Sequence, residues 1–401
     1  SYNKESGELV LHNYMDFDDL KDYVKISYEL TQDGLVISKG KLPEVSAAPH
    51  SEGKINLKIN VPESGKCYLK FIYHLKKELP LLDEDYILGF DEIEVSQKDA
   101  KCQLAEKWVE KTVTDSELQV SEDDTQIHIK GREFAYTIDR RTALFTEMKF
   151  AGREYLNHPM ELNIWRAPTD NDMYIKSEWK KAHYDKAYTR AYTTEVVQGK
   201  HGVKITSHAS VVAETVQKIL DVTITWKIEA AGKIDADIAV TKDDEFPDLP
   251  RFGVRMFLDK KLSAARYFGM GPQESYCDKH QAASHGLYHA NVDDLHEDYI
   301  RPQENGSHYD CEYVELNNSR YGIVVSAENA FSFNASYYTQ EELEKKTHNY
   351  ELTESDSVVF CVDYALNGIG SNSCGPVVLD QYRFDDVLFR FQFTLIPYVK
   401  G

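Results

Sequence analysis

Apolar and polar residues alternate along most of this chain, and a period of two marks strands with one buried face. The alternation is clean in Val24-Lys25-Ile26-Ser27-Tyr28-Glu29-Leu30. Asp33-Gly34 then signals a hairpin, and Leu35-Val36-Ile37 a returning strand. Ile55, Leu57, Ile59 and Val61 predict one face of a further strand, ended by Pro62; Tyr68 to Leu75 and Ile93 to Val95 add more. Roughly seven short strands in about 90 residues is an immunoglobulin-like signature, here assigned to residues 1–97. The next stretch, 98–118, is charged and loses the alternation. It reads as a linker, with a short helix predicted from Leu104 to Val113. From 119 the alternation resumes, as in Val222 to Ile228 and Phe389 to Leu395, with Gly152, Gly202 and Gly232 in polar turns. Two helices are predicted, one from Ser177 to about Lys186 and one after Thr339, where Thr339-Gln340-Glu341-Glu342 matches a capping box. Residues 119–401 therefore predict one large sandwich, and the chain is all-β. Alternating strand and helix units are missing, so no parallel (β/α) barrel can be built from it.

Composition supports strands: 26 Tyr and 17 Phe bring the aromatic share to 12%. A net charge of −21 repels a phosphate backbone and argues against a nucleic-acid partner. No run of 18 apolar residues exists to span a membrane, and Ser1 to Glu5 carries no apolar signal core. The six cysteines form no C-x-x-C pair and are too sparse for a disulfide scaffold; reduced thiols in a cytoplasmic protein are the expectation. His280, His285, His289 and His296 do not fit one metal-binding face and read as surface and turn residues. No metal site is expected. Trp165, Trp179 and Trp226 read as core.

The candidate chemistry lies in five strings. Leu162-Asn163-Ile164-Trp165-Arg166-Ala167-Pro168-Thr169-Asp170-Asn171-Asp172 is a strand that ends in a Pro-initiated turn with amides and carboxylates in a row. The others are Gly269 to Tyr276, Tyr299 to Gly306, His348 to Leu352 and Gly368-Ile369-Gly370-Ser371-Asn372-Ser373-Cys374-Gly375-Pro376. Each alone reads equally well as a turn that satisfies its own backbone. Together, in this order and spacing, they resemble the last domain of the glycoside hydrolase family 2 β-galactosidases, over about residues 119–398. Residues 8–96 resemble the immunoglobulin-like domain that precedes it.

The resemblance implies a galactose-mutarotase-like supersandwich for the larger domain. It implies a five-domain parent that hydrolyses terminal β-D-galactosides with retention, using two glutamates on a barrel that precedes this chain. Magnesium and sodium, which that family uses, would sit in the barrel domain, with no cofactor here. No acidic pair here matches the family's catalytic motifs, so no catalytic residue is assigned and the chain alone is expected to be inactive. Its expected partner is the N-terminal, catalytic portion of the same enzyme, in a homo-oligomer when full length. Substrate contacts are implied at Asp170, Asn171 and Asp172, with Met173 and Tyr174 following, and at Asn372, Ser373 and Cys374. Some members carry a Trp that stacks on the sugar where Cys374 stands, and Cys374 cannot stack. A stand-alone carbohydrate-binding module and an aldose epimerase are the alternatives.

Overall fold

The structure is a computed structural model and describes residues 1–105 and 118–400. Most of the helix predicted over 104–113, and most of the linker predicted over 98–118, lie outside the described residues. The chain divides into two compact units, residues 1–104 and the greater part of 105–401.

The first unit has six strands: β1 (Glu8–His12), β2 (Val24–Gln32), β3 (Leu35–Lys41), β4 (Glu52–Asn56), β5 (Cys67–Leu75) and β6 (Ile87–Glu94). They form a two-stranded sheet, β1-β4, and a four-stranded sheet, β3-β2-β5-β6. Leu9, Leu30, Leu69 and Phe71 are among the buried residues of the unit's core. The β2–β3 hairpin turns at Asp33 and Gly34, both at positive φ (47° and 79°), as a tight right-twisted hairpin requires. Ile55, Leu57, Ile59 and Val61 all pack on this core, but strand pairing stops at Asn56. Asn56 lies opposite Glu8, the first residue of β1, and beyond that pair one more ladder bond, Leu57 N to the Gly7 carbonyl, closes the pairing.

The second unit is a sandwich. A five-stranded sheet runs Arg153–Glu154, Leu144–Phe150, Phe134–Asp139, Gln126–Lys130, Gln119–Glu122. It faces a twelve-stranded antiparallel sheet centred on Ser357–Leu366, Tyr321–Ser336 and Leu388–Val399. The aromatic residues that the alternation turned inward join the layers. Phe145 meets Trp226 edge-on at 4.9 Å, and Trp226 meets Phe393 at 6.4 Å. Trp226 Nε1 donates to the Ala143 carbonyl at 2.8 Å, so a fully buried indole leaves no donor unpaired. Trp165 and Trp179 are also buried.

The helix predicted from Ser177 begins earlier and breaks. It spans Ile175–Lys181; His183 then takes a left-handed conformation (φ 58°), and a single 3-10 turn follows at Tyr184–Lys186. Tertiary bonds account for the break. Trp179 Nε1 and Tyr184 hydroxyl donate to the carbonyls of Asp248 and Pro247, which only a bent segment can serve together. The second helix, Gln340–Lys345, starts as predicted, with Glu342 N donating to Thr339 Oγ1 at 3.1 Å.

Candidate functional site

Strand Leu156–Asn163 takes in the first two residues of the first string, and Pro168 then turns the chain into a 3-10 turn at Asp170–Asp172. Arg166 is fully buried, and a buried guanidinium must be paired. Its partner is Asp172, six residues on, held in a two-pronged bond (Nη2–Oδ1 2.7 Å, Nε–Oδ2 3.1 Å). Asp172 Oδ2 also accepts from Thr169 N and Oγ1, at 2.9 and 3.1 Å. The remaining guanidinium donors reach the carbonyls of Asn367 and Gly368. One ion pair thus ties the first string to the last, two hundred residues away in sequence.

The last string forms a loop whose root is gripped from a second side. Asp278 accepts from Ile369 N (2.9 Å) and Gly370 N (2.7 Å), one carboxylate oxygen each. A side chain at 368 would strike this carboxylate, since a Cβ there would lie 2.9 Å from Asp278 Oδ2, and Gly370 sits at φ +64°. Asn171 is the third grip: its Nδ2 donates to the Gly370 carbonyl at 2.7 Å and its Oδ1 accepts from Ser373 Oγ at 2.9 Å. The loop tip closes on itself through Gly375 N to the Ser371 carbonyl, 2.7 Å.

The other strings join the same cluster. Glu274 is buried and accepts from Lys279 Nζ, Tyr299 hydroxyl and Gly306 N, the last at 2.9 Å. Burial pushes its carboxyl up, but the bonds from Lys279, Tyr299 and Gly306 outweigh it and hold the group below the usual carboxylate range. Glu304 accepts from Ala167 N at 3.1 Å and pairs with Arg251 at 2.7 Å; Arg251 in turn takes Asp363 two-pronged, all three side chains essentially dry. Asn349 N donates to the Ile300 carbonyl at 3.2 Å, which seats the fourth string beside the third.

The loop stands between two clefts. One, of about 720 Å³, is lined by Asp170, Asp278, Lys279, Tyr299 and Gln303 with Ser371 and Leu379. The other, of about 570 Å³, is lined by Asp172, Met173, Tyr174, Asn372 and Arg383. Asn171, Val377 and Val378 border both.

The six residues singled out from the sequence fall into two layers. Asp172 lies in the buried floor. Asn171 and Ser373 bond each other across the loop, and exposed Asp170 exchanges hydrogen bonds with Gln303 (3.0 and 3.2 Å). Asn372 borders a cleft, and its side-chain amide has no hydrogen-bond partner among the described residues. Cys374 is exposed at the tip. Sequence reasoning missed Arg166, Glu274, Tyr299 and Gln303 as individuals, although all four lie inside strings it had marked. Asp278 and Lys279 fall two or three residues past a string, and only the folded loop reveals them.

Asp172, Asp278, Glu274 and Glu304 each have both oxygens engaged by donors, whereas the other cleft-lining carboxylates, Asp170, Asp248 and Glu178, are each bonded through one oxygen, to Gln303, Arg383 and Lys181. Retaining glycoside hydrolysis needs two carboxyl groups about 5–5.5 Å apart with unlike acidities and reach to the substrate. Asp172, through Arg166, and Asp278 are committed to holding the loop. An amide, hydroxyls and apolar side chains stand on the rim.

Residues 130–395 match the family described as β-galactosidase small chain, and residues 9–96 match β-galactosidase domain 4. The chain is 42% identical over 392 residues to the β-galactosidase of Actinobacillus pleuropneumoniae, covering 97% of this chain and 38% of that protein. It is 30% identical to the β-galactosidase of Staphylococcus xylosus, covering 98% of this chain and 39% of that one. The chain therefore spans less than two fifths of the length of these relatives. A solved galactose 1-epimerase from Lactobacillus acidophilus overlaps 72% of this chain and 100% of its own, at 8% identity and a TM-score of 0.39, too slight a likeness to bear on chemistry. The match of the small-chain family to nearly all of the larger unit, motif strings included, decides the assignment: this chain belongs to the β-galactosidase small-chain family.

Proposed function

We propose that the chain is the non-catalytic C-terminal portion of a β-galactosidase, which hydrolyses terminal β-D-galactosides with retention. The catalytic carboxyl groups, and the magnesium and sodium that the family resemblance implies, belong in this reading to the remaining portion of the enzyme. This portion completes the active-site wall with the loop of residues 368–379 and the neighbouring Asp170 to Tyr174, and takes part in the enzyme's assembly in the cytoplasm.

One observation carries the reading: two sequence-distant carboxylates, Asp278 directly and Asp172 through Arg166, fix a single loop, while Asn372 on it has no side-chain partner among the described residues and Val377, Leu379, Met173 and Tyr174 stand exposed on and beside it. Asn372 is then the direct sugar contact on this side. Asp170, Asn171, Asp172 and Ser373 hold the wall in place, and Cys374, lacking a ring, supplies no stacking platform.

The test is reconstitution. The purified chain, the catalytic portion and their mixture are assayed for hydrolysis of a chromogenic β-galactoside. Activity is expected on mixing and none from the chain alone; hydrolysis by the chain alone overturns the reading, as does saturable galactose binding to it without a partner. In the mixture, Asn372→Ala should raise KM about 2- to 10-fold, the worth of one neutral hydrogen bond.

A further inference from the structure

In the first unit, β1 has a strand partner on one side only. The direction of its backbone groups can be read residue by residue. Toward β4, the Gly7 carbonyl accepts from Leu57 N (2.7 Å) and Asn13 N donates to the Ser51 carbonyl (2.9 Å). Odd positions thus face β4, and even positions face the other edge, as an antiparallel ladder requires. That edge is already used at its start. Asn3 N donates to the Glu8 carbonyl (2.9 Å), Val10 N donates to the Ser1 carbonyl (2.9 Å), and Ser1 N donates to the Val10 carbonyl (2.9 Å). Residues 1–3 therefore run antiparallel to 8–10, with a bridge at Tyr2 and Leu9. His12 is the next even position, and its N–H and C=O point out along the same edge with no partner among the described residues. Below this edge lies a cleft of about 750 Å³, bordered by Ser1, Leu11, His12, Tyr14, Phe71 and Leu88. Its lining is largely apolar, and Tyr14 and Leu88 are exposed there.

We propose that, in the longer polypeptide, the residues immediately upstream of Ser1 continue this ladder past Val10 to His12 and Tyr14. They form a third strand of the β1-β4 sheet and roof the cleft. The inference rests on the reading above, that the chain is part of a longer enzyme. The relatives supply the length: the matched region is 38% and 39% of two of them. An edge already paired with residues 1–3 gives the direction and the register. Continuing the ladder satisfies the orphaned His12 groups and turns alternate upstream side chains toward an apolar cleft, so those positions should be apolar. The same strand fixes where the polypeptide enters this unit.

Hydrogen exchange, followed residue by residue, tests this in the 401-residue chain and in the natural, longer protein. The His12 amide is expected to slow by ~100-fold or more in the longer protein. The Val10 amide, which donates to the Ser1 carbonyl in both, serves as the internal control and should change far less. An unchanged His12 rate in a protein that does extend upstream overturns the strand while leaving the functional reading intact. A natural product that begins at Ser1, seen by intact mass, overturns the strand and the single-polypeptide form of that reading together. Concentration-dependent protection of His12 in the 401-residue chain would assign the edge to a second copy and also overturn the proposal.

Discussion

Arg166 and Arg251 are shut off from water, whereas Tyr174, Val377 and Leu379, on segments those arginines help to hold, are 61%, 70% and 62% exposed. Floor and rim belong to one loop cluster, yet different forces act on them. In the floor the buried charges Arg166, Asp172, Arg251, Asp363 and Glu304 are ion-paired and Asp278 is held by two backbone N–H groups, because an unpaired charge there would cost several kcal/mol. On the rim the apolar groups face water and contribute little to the stability of this chain. The difference indicates that the loop's shape is set by residues that need touch no ligand, while the residues left to meet one are free of structural duty. Mutation should therefore separate shape from recognition.

The largest effect is expected at the bottom of the floor. Arg251→Met leaves Asp363 and Glu304 buried without their cation and should cost about 3–5 kcal/mol in a urea-unfolding experiment. A loss under about 1 kcal/mol would mean that water reaches these groups.

Acid should also discriminate the two layers. His308, buried against Tyr267 and Phe333, has its imidazole held down to about 4 by desolvation, with Nδ1 bonded to the Met270 carbonyl. Its native form is neutral and binds fewer protons than the unfolded chain, whose histidine titrates near 6.5. The stability this contributes is complete above about pH 6.5 and is lost as pH falls toward 4, by about 3 kcal/mol in all. His308→Leu should flatten that part of the stability–pH curve, and an unaltered slope would show that His308 is solvated.

Asp278→Asn comes next, because one of its two backbone donors then meets an amide N–H. A loss of about 1.5–3 kcal/mol is expected, with faster exchange at the Ile369 and Gly370 amides. At the rim, Leu379→Ser should change stability by no more than about 0.5 kcal/mol while weakening complementation with the catalytic portion. If Leu379→Ser destabilised the isolated chain as much as Asp278→Asn, the contrast between floor and rim would collapse.

The sequence showed the fold more openly than the site. Alternation exposed strands such as Val222 to Ile228, because burial on one face writes itself into every second residue. The capping signal at Thr339 was equally local. The break at His183 was not visible, because carbonyls more than sixty residues away impose it on Trp179 and Tyr184. The site strings stood out as clusters of turn-forming and polar residues, yet their internal division of labour did not. Nothing local distinguishes Asp172, turned inward to Arg166, from Asp170, turned outward to Gln303. Asp278 is the extreme case: its partners are two backbone N–H groups about ninety residues away, which carry no sequence signature at all.

Cys374, where a stacking ring was looked for, has a practical consequence. Burial pushes the thiols of Cys277 and Cys361 up to about 11 and raises those of Cys67 and Cys311 as well, which keeps them protonated and slow toward electrophiles. Of the six thiols, Cys374 is the exposed one, and it sits at the tip of the loop. A maleimide dye would therefore attach preferentially there without any engineered cysteine, and its emission would report directly on whatever comes to rest against the loop.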